Sequence, residues 1–366
     1  MGVQESMWAR APSALSRDGL FKGLVPFPVE AGADEVHHAR TEDGWRVALS
    51  RYRPRERRRR HPVILCHGLA SNRYAFDLGP EASLARHLRD RGYDVFSLEL
   101  RGAGLSDRPG RLSGRAWGWC FDDYLLRDVP AALAFVRALS GAPEVHWVGH
   151  SMGGILLYAH LARGATGIRA GVTVGSALDY SRSDSEFHLF ARLREVAGRL
   201  SSLPLGPLAF LGAPAAGRVF NVVERFQYWP SNVDPVVARR LYCLGFHSVS
   251  AGVLAQLATA FDPGGLRALD GRRYLPGLHD ATTPVLALCG DMDRQCPPDA
   301  ARHTLEALGA EDKRVVVRGR AHAQADHYGH FDLLCGARAR EEVYPEIDAW
   351  LDAHDERERA EHRRAA

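Results

Sequence analysis

The sequence predicts an α/β protein in which helices cover both faces of a mostly parallel sheet and an inserted helical cap interrupts the chain. Short apolar runs of strand length alternate with helical patterns, which is typical of strands joined by right-handed helical crossovers. The run that ends at His150 passes through Ser151 directly into a helical pattern, as in a strand, tight turn and helix. The alternation stops near residue 180 and resumes near 280, which predicts the cap.

The first part of the core is predicted over residues 31–179, after an irregular N-terminal arm over residues 1–30. An Asp-Gly turn between two alternating runs predicts a hairpin, and the next strand is apolar throughout, as expected of a strand covered on both faces. In order, the elements are strands over Glu35–Arg40, Trp45–Tyr52 and Pro62–Cys66, a helix over Pro80–Arg91, a strand over Val95–Leu100, a helix over Phe121–Leu139, the strand before Ser151 and a strand over Ala170–Ser176.

A helical cap is predicted over residues 180–280. Its stretch Leu203–Pro214 is apolar but punctuated by proline and glycine, so neither a strand nor a long helix suits it. We interpret this stretch both as cap residues packed on the core and as an apolar lid that contacts an acyl chain or a lipid surface. The two interpretations are compatible.

The second part of the core is predicted over residues 281–354. Strands are expected at Pro284–Gly290 and Arg314–Val317, followed by a helix over Arg338–Leu351 that is kinked or restarted at Pro345. The charged tail over residues 355–366 is expected to be frayed or disordered.

The composition excludes several classes of protein. With 46% hydrophobic and 25% charged residues, the 366-residue chain resembles an ordinary globular protein and not a disordered or membrane-embedded one. A formal net charge of +3 is too small to predict a nucleic-acid partner. The dense basic run from Arg51 to Arg60 is interpreted as a solvated hairpin loop.

Cysteine usage and the N-terminal sequence predict a cytoplasmic protein. The six cysteines include no C-x-x-C pair, so neither a disulfide framework nor a zinc site is indicated. Cys66 and Cys289 are expected to be buried thiols. Residues 1–30 lack the apolar segment of a secretory signal, and no apolar window is long enough to span a bilayer. The start Met1-Gly2 fits a loose N-myristoylation pattern, which we do not favour.

The residues around Ser151 have the types that a nucleophile elbow requires. A serine in a sharp strand-to-helix turn leaves no room for neighbouring side chains, which explains Gly149 and Gly153. The helix that follows directs free N–H groups and the positive end of its dipole at incoming negative charge. The alternative is a glycine-rich turn with a solvent-facing serine.

A nucleophilic serine needs a base and a carboxylate that orients the base. Asp291 and Asp293 follow the first strand after the cap, at the edge where parallel strands end. We choose Asp293, because a residue two positions past the strand can reach across toward the next loop. Asp179 is a weaker third candidate, and a helix-capping role is the structural alternative for Asp293.

Three histidines, His322, His327 and His330, lie on the loop after the final predicted strand. Their spacing alone does not choose the base. These histidines and Asp326 are also metal-ligand types, but their spacing is not a standard zinc pattern, and a base for Ser151 is the simpler account.

The chain resembles the α/β-hydrolase superfamily and, more closely, its acid-lipase-like esterases. The matching pieces cover most of residues 60–351 apart from the cap. They are His67-Gly68-Leu69, Arg101-Gly102-Ala103-Gly104-Leu105-Ser106, Phe121-Asp122-Asp123-Tyr124, Asp128-Val129-Pro130-Ala131, Gly149 to Gly153, Gly290 to Asp293 and Tyr328-Gly329-His330-Phe331-Asp332.

This resemblance implies the α/β-hydrolase fold and a role for each matching residue. Ser151 corresponds to the nucleophile, Asp293 to the acid and His330 to the base, with His322 as the runner-up for the base. The backbone N–H groups of Leu69 and Met152 correspond to the oxyanion hole. A serine at position 151 separates the chain from dehalogenase-like and epoxide-hydrolase-like members, which use a carboxylate nucleophile, and from polyester-synthase-like members, which use a cysteine.

We therefore expect a serine carboxylic-ester hydrolase that acts on a small-molecule or lipid ester with an apolar acyl group, without a cofactor or metal. An acyltransferase or a thioesterase with the same catalytic residues is the first alternative. A non-catalytic module that binds an apolar ligand is the second. The cap is a candidate for peripheral contact with a lipid surface, and no oligomeric state is predicted.

Overall fold

An eight-stranded sheet forms the centre of the structure, a computed structural model that describes residues 27–30, 32–110, 113–188, 200–218 and 222–365. Most of the predicted N-terminal arm, with the Met1-Gly2 lipidation pattern, lies outside the described residues. The strands are β1 (Glu35–Arg40), β2 (Arg46–Tyr52), β3 (Val63–Cys66), β4 (Val95–Glu99), β5 (Val145–His150), β6 (Ile168–Val174), β7 (Val285–Gly290) and β8 (Lys313–Arg318).

The sheet order is β1-β2-β4-β3-β5-β6-β7-β8. Strands β1 and β2 form the predicted antiparallel hairpin, and β2 also runs antiparallel to β4. All other neighbouring pairs are parallel. The carboxyl ends of β5 and β7 therefore lie at the same edge of the sheet, which places Ser151 and Asp293 there.

Two apolar layers bury the two faces of the sheet. In β3, Ile64 and Cys66 contribute to one layer and Val63 and Leu65 to the other. Because successive side chains of a strand point to opposite faces, a strand buried on both sides must be apolar throughout. Cys66 and Cys289 are buried free thiols, as expected.

The helices of the core follow the predicted alternation, with shifted ends. The helix expected from Pro80 begins at Leu84, because the Ser83 side chain accepts a hydrogen bond from the Arg86 N–H and caps it. The helical segments of the core are Leu84–Asp90, Phe121–Asp123, the π-helical turn Tyr124–Asp128, Val129–Ser140, Met152–Ala162, Pro298–Glu306, Asp332–Cys335, Ala339–Glu342 and Tyr344–Ala365.

Most of the regular secondary structure described between β6 and β7 is helical, and we propose residues 180–280 as the cap. The apolar stretch from Leu203 contains an eight-residue helix, Leu205–Gly212, after a two-residue strand, Ser202–Leu203, that pairs with Val249–Ser250. The other helical segments are Val222–Gln227, Pro230–Asn232, Pro235–Leu244, Ala251–Leu257, Ala258–Phe261 and Leu275–Asp280.

The end of the chain corrects one expectation. The last helix restarts beside Pro345, as predicted, but it runs as Tyr344–Ala365 and does not end at Leu351. Asp355, expected to begin a frayed tail, is buried, and its carboxylate accepts hydrogen bonds from the backbone N–H groups of Arg60 and His61. The expectation of a frayed or disordered tail is therefore wrong for Asp355.

The basic run from Arg51 to Arg60 is not a hairpin loop. Strand β2 pairs with β4 and not with β3, so the run connects two strands that are not neighbours. The Arg51 guanidinium forms ion pairs with Asp94 and Glu35, at 2.8 and 3.1 Å. Part of this run is thus held by carboxylates and not simply solvated.

No helix within the described part of the chain is long and apolar enough to cross a bilayer.

Candidate active site

Ser151 occupies a strained corner between strand β5 and the helix Met152–Ala162. Its backbone has φ +52° and ψ −119°, in a region that residues other than glycine rarely adopt. A Cβ atom on Gly149 would overlap the carbonyl group of Gly153, and one on Gly153 would overlap the Cys66 carbonyl. The two glycines are therefore required by the close passage of the backbone, as the sequence predicts.

The loop after β3 passes directly beside Ser151. A Cβ atom on Gly68 would lie 2.9 Å from the Ser151 Cβ, so only glycine fits there. Ala70 has φ +55°, and the neighbouring Leu69 lines the same cavity as Ser151 and Met152. Met152 is the first residue of its helix, so its N–H group has no acceptor within that helix.

His330 and Asp293 form a buried pair. His330 Nδ1 lies 2.7 Å from Asp293 Oδ2, and both residues are less than 5% exposed. The other carboxylate oxygen of Asp293 accepts hydrogen bonds from the N–H groups of Gln295 and Cys296, at 2.8 and 2.9 Å. These bonds fix the carboxylate, which in turn fixes the tautomer and the orientation of the His330 ring.

The second ring nitrogen of His330 is not used by the pair with Asp293. His330 Nε2 is buried and makes no hydrogen bond to any residue in the described ranges. His330 and Ser151 line the same cavity. The structure thus brings Ser151, Asp293, His330, Leu69 and Met152 to one edge of the sheet.

The rival candidates lie elsewhere. Asp291 pairs with His327, whose Nδ1 lies 2.6 Å from Asp291 Oδ2. His322 is exposed on a short turn. Asp179 lies 3.4 Å from His303. Asp326, the other ligand-type residue on the His330 loop, accepts a hydrogen bond from the Ser231 hydroxyl.

A cavity of about 550 Å³ opens onto Ser151. Polar groups in its lining are few, and they include Glu224, Gln227 and Gln295 besides His150, Ser151 and His330. The apolar lining comes from the core and from the cap and includes Leu69, Met152, Ile155, Leu205, Leu208, Val223, Phe226, Phe246, Leu254, Leu257 and Phe261. Such a cavity suits an apolar chain that ends at a polar reacting group.

Comparison with known proteins agrees with this architecture. A sequence profile described as the alpha/beta hydrolase fold matches residues 61–208, which contain the Gly68 loop, the Ser151 corner and the start of the cap. The chain has the α/β-hydrolase fold. The fold class predicted from the sequence is confirmed.

Proteins with sequences similar to this chain include lipases and a polymerase subunit. It is 34% identical to Lipase 1 of Drosophila melanogaster over 123 residues, which cover 32% of this chain and 27% of the relative. It is 24% identical to the poly(3-hydroxyalkanoate) polymerase subunit PhaC of Haloferax mediterranei over 321 residues, 81% of this chain and 59% of the relative. In both comparisons the match spans less than two thirds of the relative.

A solved structure with the same fold is the monoacylglycerol lipase of Paleococcus ferrophilus. It aligns with a TM-score of 0.59 at 19% identity, and the alignment covers 84% of this chain and 99% of the lipase. At this identity the likeness concerns the fold alone.

Two residues that contact the His330 loop are assigned no role by the sequence analysis. His150 Nε2–H donates a 3.2 Å hydrogen bond to the His330 backbone carbonyl, and the two rings lie 4.6 Å apart. Burial and the adjacent His330 imidazole lower the pKa of His150 well below its usual value, so His150 is neutral. Its position in the sequence, directly before Ser151, is the feature that could have indicated a place in the site.

Asp332 is the second residue, and it joins the His330 loop to the proposed cap. Its buried carboxyl group accepts hydrogen bonds from the N–H groups of Gly329 and Trp229 and from the Asn232 side chain, at 2.9 to 3.2 Å. Burial nevertheless raises the pKa of Asp332 to about 7. In the sequence analysis, the segment His330-Phe331-Asp332 contributes only to the family resemblance.

Proposed function

We propose that this protein hydrolyses a carboxylic ester with an apolar acyl group through a serine-bound acyl-enzyme. The observation that carries the proposal is the convergence of the strained Ser151 corner and the His330–Asp293 pair on one apolar cavity. The likeness to lipases supports an ester as the substrate class.

In the proposed mechanism, Ser151 Oγ attacks the ester carbonyl carbon while His330 Nε2 takes the serine proton. Asp293 holds the ring and stabilises the imidazolium that forms. The N–H groups of Leu69 and Met152 bind the oxyanion, a role worth about 3–4 kcal/mol per donor in comparable sites. His330 then gives its proton to the leaving alcohol, and water, deprotonated by His330, releases the acid and restores Ser151.

The cavity lining favours medium or long acyl chains over acetate. Apolar side chains dominate it, and each buried methylene of a substrate contributes about 0.8 kcal/mol. Short esters would leave most of this surface uncovered. Turnover of p-nitrophenyl esters from two to sixteen carbons should therefore peak above butyrate, and a maximum at acetate would contradict the proposed preference.

The same assay separates the catalytic residues from their neighbours. Ser151→Ala and His330→Ala should lose nearly all activity, and Asp293→Asn should lower kcat by roughly 10⁴-fold, the scale for a triad acid. The matched controls His322→Ala and Asp291→Asn remove the rival base and acid and should stay within a few-fold of wild type. A dead control variant would reassign that role.

Acyl transfer is the second candidate function. It is favoured by the match to the PhaC polymerase subunit, which extends over 81% of this chain. The same acyl-enzyme would pass its acyl group to a hydroxyl or thiol acceptor instead of water. Product analysis with a soluble alcohol present decides between them, because a transferase forms mainly the new ester and a hydrolase mainly the free acid.

We also propose that the cap contacts a lipid surface. Leu208 and Val223 line the cavity yet are 61% and 59% exposed, and Leu211 on the same helix as Leu208 is 76% exposed. Exposed apolar groups at a cavity rim suit an apolar phase that delivers the substrate.

A non-catalytic ligand-binding module is disfavoured by the complete acid, base and nucleophile set. An unlabelled Ser151 after fluorophosphonate treatment would favour such a module.

A further inference from the structure

A second group of chemically active side chains lies at the opposite end of the sheet from Ser151. It comprises His61, just before β3, His146, at the start of β5, and Asp355, in the last helix. The three residues are buried, with exposures of 0%, 0% and 1%. Ser151 lies five positions after His146 along β5, which is about 17 Å at the usual rise per residue.

One potential ligand atom from each residue lies within 4.8 Å of the other two. His61 Nδ1 is 2.7 Å from Asp355 Oδ1, and His146 Nε2 is 3.6 Å from the same oxygen. Zinc bonds of about 2.0–2.1 Å in a tetrahedral site place ligand atoms roughly 3.3 Å apart. Small rotations of the three side chains would bring them to that spacing.

His146 is the member whose surroundings require an explanation. Both of its ring nitrogens are buried and have no hydrogen-bond partner within 3.5 Å among the residues that the structure describes. The Asp355 Oδ1 atom lies 3.6 Å from Nε2. A buried polar group without a partner is rare, and an ion is one of the partners that account for such groups. The rings of His61 and Tyr93 pack edge-on against it.

His146 and Asp355 have the protonation states of metal ligands. Burial, together with the nearby His61, lowers the pKa of His146 to about 4, so its imidazole is neutral at pH 7. Burial opposes ionisation of Asp355, but its contacts with His146, His61 and the backbone N–H groups hold the pKa of the carboxyl below its usual value. A neutral imidazole and a carboxylate are the forms that bind metals.

The carboxylate is also oriented by the backbone. The N–H groups of Arg60 and His61 donate to the two oxygens of Asp355, each at 2.9 Å. Hydrogen bonds of this kind support a ligating carboxylate in metal sites. The nearby Arg59 is paired with Asp352 at 2.6 Å, so its charge is compensated.

We propose that His61, His146 and Asp355 bind a divalent transition-metal ion, with zinc preferred, that fastens the last helix to the sheet. Two imidazole nitrogens and one carboxylate oxygen form a donor set that suits zinc. The distance from Ser151 makes the role structural. The proposal is independent of the proposed esterase activity.

Metal content and thermal stability test the site directly. Full-length protein is produced with zinc in the growth medium, because a fully buried site takes up its ion during folding. Mass spectrometry of the elements should find about one zinc per chain in wild type and in the control His279→Gln, an exposed histidine, but little in His146→Gln. Removal of zinc should lower Tm and leave ester turnover unchanged.

Wild-type protein without bound zinc, or His146→Gln with as much zinc as wild type, would overturn the proposal. If His146→Gln does not fold, wild-type protein refolded with Co²⁺ provides a separate reading. The visible absorption bands of four-coordinate Co²⁺ and a raised Tm support the site, and their absence refutes it. Esterase failure with intact metal binding would leave this proposal standing.

Discussion

Gly175 shows what the backbone must provide for the His330–Asp293 pair. It has φ +61°, and a Cβ atom there would lie 2.9 Å from both Asp293 Oδ2 and His330 Nδ1. A side chain would therefore be strained by the backbone and would also press on the two atoms that hold the pair together.

The variant Gly175→Ala should lower kcat by about 100-fold, the scale for displacing a catalytic group by about 1 Å. The matched control is Gly164→Ala, where φ is +68° but no atom lies within 4 Å of the new Cβ. Both variants carry about 1–2 kcal/mol of backbone strain. Turnover measured beside Tm separates the effects, and equal activity in the two variants would exclude crowding of the pair.

Single residues differ in how far the sequence predicts them. The elbow motif predicts Ser151 as the nucleophile, because its glycines are required by close backbone contacts within a short stretch of sequence. The choices of Asp293 over Asp291 and of His330 over His322 depend on loop paths, which spacing leaves open. The contact of His150 with the His330 carbonyl joins residues 180 positions apart, so no local pattern signals it.

The cap helix Leu205–Gly212 is the element that bears on substrate delivery. Leu205, Leu208 and Ala209 line the cavity, whereas Leu211 is 76% exposed. One short helix thus contributes to the substrate cavity and to the outer surface. This division is the basis for the proposed contact with lipid.

The variant Leu211→Ser should weaken binding to phospholipid vesicles roughly tenfold, since burying a leucine in an apolar phase stabilises by about 1.5–3 kcal/mol. Turnover of a water-soluble ester should be unchanged. The control Leu269→Ser alters a leucine that is 73% exposed and does not line the cavity. Vesicle sedimentation measures both, and equal losses would contradict a specific lipid-facing helix.

At the same scale, strands are better predicted than helix ends. A strand buried on both faces requires an apolar run, which is visible in β3 and β5. The last helix extends past Leu351, where the Asp355 carboxylate accepts hydrogen bonds from the backbone N–H groups of Arg60 and His61, just before β3. That contact joins residues almost 300 positions apart, so composition alone suggested a frayed tail.

For the whole molecule, Asp332 links stability to pH. It connects the His330 loop to Trp229 and Asn232 of the proposed cap, and burial raises its pKa to about 7 from the ordinary 3.8. The folded protein therefore binds this proton more tightly than the unfolded chain. The resulting stabilisation is fully present below about pH 4 and is lost as pH rises through 7.

From pH 5 to pH 8, this group should lower the free energy of unfolding by roughly 3 kcal/mol. Asp332→Asn removes the titration, so its stability should change less over that interval. The control Asp299→Asn alters an exposed carboxylate and should retain the wild-type slope. Urea unfolding at the two pH values measures each slope, and identical slopes in wild type and Asp332→Asn would rule out this linkage.

The alternation of strand and helix patterns in the sequence predicts the sheet. The break in this alternation between residues 180 and 280 predicts an insertion. The cavity between core and cap could not be predicted, because its shape depends on contacts such as Asp332 with Trp229 that join distant segments. The sequence therefore predicts the proposed chemistry at Ser151, but it does not predict the cavity that would hold a substrate.

The central claim is that Ser151 is a nucleophile activated by His330. The most direct test is fluorophosphonate labelling followed by mass spectrometry of the modified peptide. The account predicts one adduct, on Ser151, that is absent in Ser151→Ala, strongly slowed in His330→Ala and unchanged in His322→Ala. An unlabelled wild-type protein, or labelling that depends on His322 and not on His330, would contradict it.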